Sequence, residues 1–390
     1  MSAFDLTEDQ RNLRAAARRF AREVVRPMAM EVEQANGIVP VSLIRQMADL
    51  GIAGADVPQE LGGQGFDTLT SAVIVEEIAY GWFSAATYCV NIAVRPIVRA
   101  GTPSQKQKFV PGLCRGDLFA ACALTEPETG SDAASIRTRA ERDGDSWVIN
   151  GTKIYITNGA RADVVVVFAR TSDEGRGKGL TLFLVEKGTP GFTVGQRFRT
   201  LAHEANPVAE LVFDNCRVPI ENILGKEGEA FAYMQRDFAQ TRAIYGARCV
   251  GVAQAAMDYA LQHAVQRKQF GQTIASFQGI RFKVADALTR IEAARALTYR
   301  ACALVDQGSP EAQVAASMAK NFASDMAVDV ASEAIQIMGG HGYMRDHPVE
   351  RFYREAKLFE LGDGTQEVLR LIVSRDANRK AEASESARLD

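Results

Sequence analysis

The sequence predicts an α+β multidomain protein. It would have an N-terminal α-helical domain over residues 1–118, a middle β-barrel or sandwich domain over 119–230, a C-terminal four-helix bundle over 231–380, and a polar tail over 381–390. Three observations carry this reading. Capped helical patterns fill the first third, short apolar strands around an Asn-Gly pair fill the middle, and long Ala-rich amphipathic stretches follow. A chain of 390 residues is long enough for two to three domains at roughly 150 residues each.

Thr7-Glu8-Asp9-Gln10 places a Thr N-cap and a Gln at the capping-box position, ahead of the periodic Leu13, Ala16, Ala17 and Phe20. A second helix over residues 41–50 stops at Gly51. The turn Gly62-Gly63-Gln64-Gly65 precedes a helix carrying Glu76, Glu77 and Ile78. In the middle part, residues 146–149 and 154–157 read as two strands of a hairpin turning at Asn150-Gly151. Residues 164–169, 180–185 and 210–213 add further strands. The loop Gly175-Arg176-Gly177-Lys178-Gly179 lies between strands with no helix after it, so it reads as a solvated hairpin loop rather than a phosphate cradle. Residues 253–265, 282–306 and 313–338 then suit an antiparallel bundle. No strand leads through G-x-G-x-x-G into a helix, which excludes a Rossmann dinucleotide site.

Composition narrows the function. Apolar residues make up 47% and charged residues 24%, ordinary for a globular chain with full cores. The net charge of −3 leaves no basic excess for a phosphate backbone, so no nucleic-acid partner is expected. No apolar run approaches the roughly 18–20 residues that cross a bilayer. The first ten residues carry acids and no basic n-region, which predicts neither signal nor transit peptide. Six scattered cysteines without C-x-x-C read as buried thiols of a reducing cytoplasm. Four histidines, none in a metal-ligand spacing, predict no catalytic metal.

Five segments carry more specific information: 124–132 (LTEPETGSD), 153–159 (KIYITNG), 267–271 (RKQFG), 336–343 (QIMGGHGY) and 362–367 (GDGTQE). In order and spacing, from Thr7 to about Arg375, the chain resembles the acyl-CoA dehydrogenases, flavoproteins that desaturate acyl-thioesters. The resemblance implies FAD as cofactor, an acyl-CoA or acyl-carrier substrate, and an electron-transfer flavoprotein as acceptor. It also implies a homo-oligomer, normally a tetramer, because two subunits build each flavin site.

A flavin needs hydrogen bonds to its pyrimidine edge and N5, a stacking wall, and partners for its pyrophosphate. The segment from Cys122 through Leu124 and Thr125 to Gly130 and Ser131 supplies closely spaced amides and hydroxyls in a turn tightened by Pro127. By resemblance Thr125 and its neighbours contact the isoalloxazine, while Ser131 contacts the thioester. Tyr155 and Thr157 lie two apart on a strand and face one side. Tyr155 stands where relatives usually place a Trp against the flavin. Arg267 and Phe270 match the pair that a neighbouring subunit offers to the phosphates and adenine. Gln278 and Gln336 through Gly339 and Gly340 match an opposing clamp. Thr365 and Glu367 complete the flavin-binding set, and Arg242 and Gly364 join Ser131 at the substrate.

Asp363 takes the position of the base that removes the Cα proton, with Thr365 able to cap the helix after it. Here the chain departs from its relatives, which carry aromatic-Glu-Gly-Thr. Asp is one methylene shorter, and errors near 1 Å cost on the order of 100-fold in rate. Gly362 in place of the aromatic predicts a larger pocket, suited to a branched or cyclic acyl group. Thr241 and Gln240 offer no alternative base. A second departure touches the CoA arm: Ala239 stands where relatives carry Asp, with Asp237 two positions earlier, and Glu204 and Asn206 replace Arg and Ser. Arg95 could face the acyl pocket or form a salt bridge. Three alternatives therefore stay open: a nitroalkane-oxidase-like enzyme, a dehydrogenase of carrier-bound acyl groups, and a non-catalytic thioester-binding paralogue.

Overall fold

The computed structural model describes residues 6–175 and 177–389. Residues 1–5, part of the segment read for a leader, and Arg176 of the predicted hairpin loop lie outside them. In chain order the helices are α1 (Glu8–Phe20), α2 (Arg26–Gln34), α3 (Val41–Asp49), α4 (Thr68–Gly81), α5 (Phe83–Ala86), α6 (Val94–Ala100) and α7 (Pro103–Arg115). Eight strands follow: β1 (Ala120–Ala123), β2 (Arg139–Asp143), β3 (Ser146–Thr157), β4 (Val164–Arg170), β5 (Leu180–Glu186), β6 (Phe192–Phe198), β7 (Val208–Pro219) and β8 (Ile223–Leu224). The chain closes with α8 (Ala230–Gln266), α9 (Gln278–Asp306), α10 (Ala312–Met338), α11 (Val349–Phe359) and α12 (Gln366–Leu389).

These elements form two compact units. The first comprises the chain up to Met30, Asp67–Ala86 and everything from Phe238 onward. Its helix α4 is buried on nearly every side, and the carboxylates of Glu76 and Glu77 go inside with it. Such burial requires partners. Arg14 donates from Nε to Glu77 at 2.8 Å, Arg18 reaches the same carboxylate, and Arg295 Nε and the Tyr299 hydroxyl each meet Glu76 at 2.9 Å. The capping box holds as read: Gln10 N–H donates to Thr7 Oγ1 and Thr7 N–H to Gln10 Oε1. The three Ala-rich stretches lie inside α8, α9 and α10.

The second unit, Glu31–Phe66 and Thr87–Asp237, is built on one eight-stranded sheet. Its strand order is β6-β7-β3-β2-β4-β5-β8, with β1 paired parallel to β4. Inward residues Trp147, Ile149, Val165, Val167, Phe183, Leu211 and Phe213 make its core. The expected hairpin at Asn150-Gly151 is corrected. Strand β3 runs unbroken through that pair, with a register shift against β7 between Ile149 and Gly151. Gly151 has φ +150° and lies so close to its neighbour that a Cβ would stand 2.8 Å from Thr138 Cα. The Asn150 side chain accepts from the Asn215 N–H at 2.7 Å. The pair therefore serves as a bulge. The hairpin is β2–β3, turning at Gly144-Asp145 with Gly144 at φ +59°.

Candidate active site

Within the helical unit, α8, α10 and the Gly362–Thr365 turn converge. Asp363 itself takes the left-handed conformation, φ +57°, and Gly364 follows at +94°. Asp tolerates that region better than most residues because its short side chain bonds locally. Two cations hold the turn by its backbone. Lys320 Nζ donates to the Gly364 carbonyl at 2.7 Å, and Arg242 Nε donates to the Asp363 carbonyl at 3.4 Å. Burial lowers the pKa of both Arg242 and Lys320, and the Asp363 charge acts in the opposite sense on each. Thr365 Oγ1 accepts from the Val368 N–H at 3.4 Å and caps α12 as expected. Glu367 is exposed in the first turn of that helix.

The expected cavity beside Asp363 is overturned. A Cβ on Gly362 would stand 2.6 Å from the Tyr245 hydroxyl, so a ring from α8 already fills the space that the missing aromatic vacates. Phe359 of α11 holds that ring edge-to-face, with centroids 5.5 Å apart. Nothing in the sequence spacing joins residues 245 and 362. A bulky residue one helical turn after Arg242, paired with the unexpected glycine, was the one available signal.

At the far end of the same bundle, about 36 Å from Arg242 along α8 at 1.5 Å per residue, lie Arg267, Phe270, Gln278, Gln336, Gly339 and Gly340, all exposed. The helical unit thus does not bring this group to Asp363. His263 and His341 rings 5.1 Å apart tie the end of α8 to the Gly339–Tyr343 turn. Gly339 adopts φ +59°, ψ −135°, and nothing lies within 4 Å of where a Cβ on it or on Gly340 would stand. That open backbone fits a cofactor pyrophosphate.

In the sheet unit the Cys122–Ser131 segment hangs on an ion pair that the sequence did not single out. Glu126 accepts from the N–H groups of Arg137 and Thr138 at 2.6 and 2.9 Å and from Lys153 Nζ at 2.8 Å. Lys153 also donates to the Leu124 carbonyl at 3.0 Å, and the Ile154 N–H to the Thr125 carbonyl at 2.9 Å. Burial pulls Lys153 down to about 8 against the pull of Glu126. Burial opposes the Glu126 charge, but Lys153 and the hydrogen bonds outweigh it and hold the carboxyl below its ordinary value. Leu124 and Thr125 are half-buried above this pair, while Gly130 and Ser131 are exposed. Tyr155 sits at φ +57° in a second bulge, 62% exposed, with its ring 5.1 Å from Phe198. Thr157 is exposed on the same side, and Ile156 between them is buried. An exposed aromatic beside a rigid amide-rich loop fits a flavin ring.

Two of the CoA-arm positions, Asp237 and Asn206, and the neighbouring candidate Arg95 are taken up by contacts within the protein. Arg95 is buried and pairs with Asp56 at 2.9 Å, and Asp237 pairs with Arg99. Asn206 is buried and accepts from the Tyr88 hydroxyl at 2.7 Å. Among the described residues no group of three metal-binding side chains exists, and no helix is long and apolar enough to cross a membrane.

In chain order helices precede and follow the β-strands, and these amide and glycine cradles fit a flavin-dependent oxidoreductase. Models of the N-terminal, middle and C-terminal domains of acyl-CoA dehydrogenase match residues 7–117, 121–216 and 228–377. An acyl-CoA dehydrogenase of Bacillus subtilis is 43% identical over 95% of this chain and 98% of its own. Cyclohex-1-ene-1-carbonyl-CoA dehydrogenase of Syntrophus aciditrophicus is 39% identical over 95% and 90%. Butyryl-CoA dehydrogenase of Megasphaera elsdenii superposes with TM-score 0.90 at 37% identity, covering 96% and 99%. The chain belongs to the acyl-CoA dehydrogenase family, FAD-dependent enzymes acting on the CH–CH bond of acyl-CoA. These matches do not favour the oxidase, carrier-bound or non-catalytic alternatives.

Proposed function

We propose that Asp363 removes the Cα proton of the acyl-CoA while the reaction forms an α,β-double bond. The observation that carries this is the turn itself: two buried cations clamp consecutive carbonyls and leave the Asp363 carboxylate as the acid-base group beside them. FAD, when bound, supplies the acceptor for the Cβ hydride. Thioester α-protons are weakly acidic, so the carbonyl needs polarisation as well as a base. Ser131, Arg242 and Gly364 are the substrate contacts in this reading. Cys122, Leu124, Thr125, Gly130, Ser131, Tyr155, Thr157, Thr365 and Glu367 bind the flavin of their own subunit. Arg267, Phe270, Gln278, Gln336, Gly339 and Gly340 serve that of a neighbour.

Support for the shared site comes from the length of α8, which holds Arg267 far from Asp363, and from Phe270 at 93% and Tyr343 at 79% exposure. Aromatics so exposed suit burial by a partner. The reading therefore includes a homotetramer, an electron-transfer flavoprotein as acceptor, a cytoplasmic location, and domain boundaries near residues 118 and 230. Anaerobic titration with linear, branched and cyclic acyl-CoAs tests it. At least one must bleach the oxidised-flavin absorbance, and failure of the whole panel overturns the reading.

A further inference from the structure

In the sheet unit a buried polar knot lies at the end of β3, beyond the residues assigned to the flavin. Its centre is the buried Tyr88 hydroxyl, whose single proton is shared between the side-chain oxygens of Asn206 at 2.7 Å and Asn158 at 3.2 Å. Arg161 Nη1 donates to the same hydroxyl and to the Val39 carbonyl, each at 3.2 Å, and its guanidinium lies 3.6 Å from the centre of the Phe119 ring. Burial pushes the phenol above its ordinary pKa against Arg161 and the Asn158 bond, so the proton is in place. Asn206 is fully buried, with Nδ2 3.2 Å from His203 Nε2 and 3.3 Å from Thr87 Oγ1.

These contacts close the β3–β7 ladder. Thr157, the last residue of β3, pairs with Val208, the first of β7. Asn158 follows Thr157 directly, and Asn206 stands two residues before Val208, so one hydroxyl holds both strands where their pairing stops. Asn158 is left-handed at φ +60°, a conformation uncommon outside glycine. Tyr155 is left-handed as well, so Thr157 lies between two backbone conformations that the surroundings must impose. Asn158 is buried against Tyr88 while Thr157 is exposed. Resting on the reading that Thr157 binds the flavin, we propose that Tyr88 is a positioning residue for FAD. Its hydroxyl holds Asn158 left-handed and thereby fixes the direction in which Thr157 faces.

The test uses holoenzyme of wild type, Tyr88→Phe, Asn158→Gly and the double variant. It measures the FAD dissociation constant by equilibrium dialysis and the visible circular dichroism of the bound flavin. Phe keeps a ring beside Phe119 and removes only the hydroxyl. Tyr88→Phe is expected to weaken FAD binding roughly tenfold, the worth of one buried hydrogen bond, and to alter the dichroism. Glycine takes a positive φ unaided, so in the Asn158→Gly background the same change should cost no further affinity. Wild-type affinity and dichroism in Tyr88→Phe, or a second loss of the same size in the glycine background, overturns the proposal. Should Tyr88→Phe not fold, Asn158→Ala keeps the phenol and decides by the same two readings: a weakened, altered flavin supports the proposal and a wild-type one overturns it. Thr157→Val tests the reading beneath. A wild-type flavin there removes Thr157 from the cofactor and the proposal with it, whereas a loss there with none in Tyr88→Phe overturns the role of Tyr88 alone.

Discussion

Lys320 donates from its ammonium to the Gly364 carbonyl at 2.7 Å, from a fully buried position on α10. That bond anchors the residue after Asp363, so it fixes where the carboxylate stands. Replacing Lys320 with Met is expected to lower the rate of flavin reduction about 100-fold through misplacement of Asp363. Ligand Kd should change far less. Stopped-flow reduction together with a binding titration separates the two, and an unchanged rate would remove Lys320 from any positioning role.

The 2.6 Å clash at residue 362 makes a sharper prediction about packing. Gly362→Ala should destabilise the protein by about 1–3 kcal/mol, the usual cost of overpacking. Adding Tyr245→Phe removes the colliding oxygen and leaves the ring carbon 3.5 Å from the Cβ. The double variant should therefore recover most of the loss. Denaturant unfolding of the four proteins in the cycle gives the coupling directly.

Lys153→Met would leave the Glu126 carboxylate buried without its cation. About 3–5 kcal/mol of stability should go with it, along with FAD retention on gel filtration.

The same carboxylate sets an acid limit. Its folded pKa lies below the ordinary 4.5, so the stabilisation is complete above that value and is lost as pH falls through the depressed one. Unfolding free energies measured downward from pH 5 should fall more steeply for wild type than for Glu126→Gln.

If each flavin is shared, two inactive variants should rescue one another. A mixed oligomer of Asp363→Asn and Arg267→Ala contains sites with both lesions and sites with neither. Co-expression should restore activity that neither variant shows alone, and persistent inactivity of verified mixed oligomers would place Arg267 elsewhere.

Much of this was legible in the sequence because the signals are local. The Thr7–Gln10 box, the glycine stop at Gly51 and the long Ala-rich helices are set by neighbours three or four residues away. Asn150-Gly151 misled because a tight-turn pair and a bulge pair look alike until Thr138 is seen to crowd Gly151. The Glu126–Lys153 pair and the Tyr245–Gly362 exchange were hidden for the same reason. Each joins residues far apart in the chain, and only the fold brings them within contact.

The claim on which the mechanism rests is that Asp363 takes the Cα proton. The most direct measurement is anaerobic mixing of Asp363→Asn with an acyl-CoA that bleaches the wild-type flavin, with ligand affinity recorded on the same sample. The account predicts unchanged binding and reduction slowed by about 10²–10⁴-fold, the usual share of a general base. Reduction by the Asn variant at the wild-type rate would contradict it.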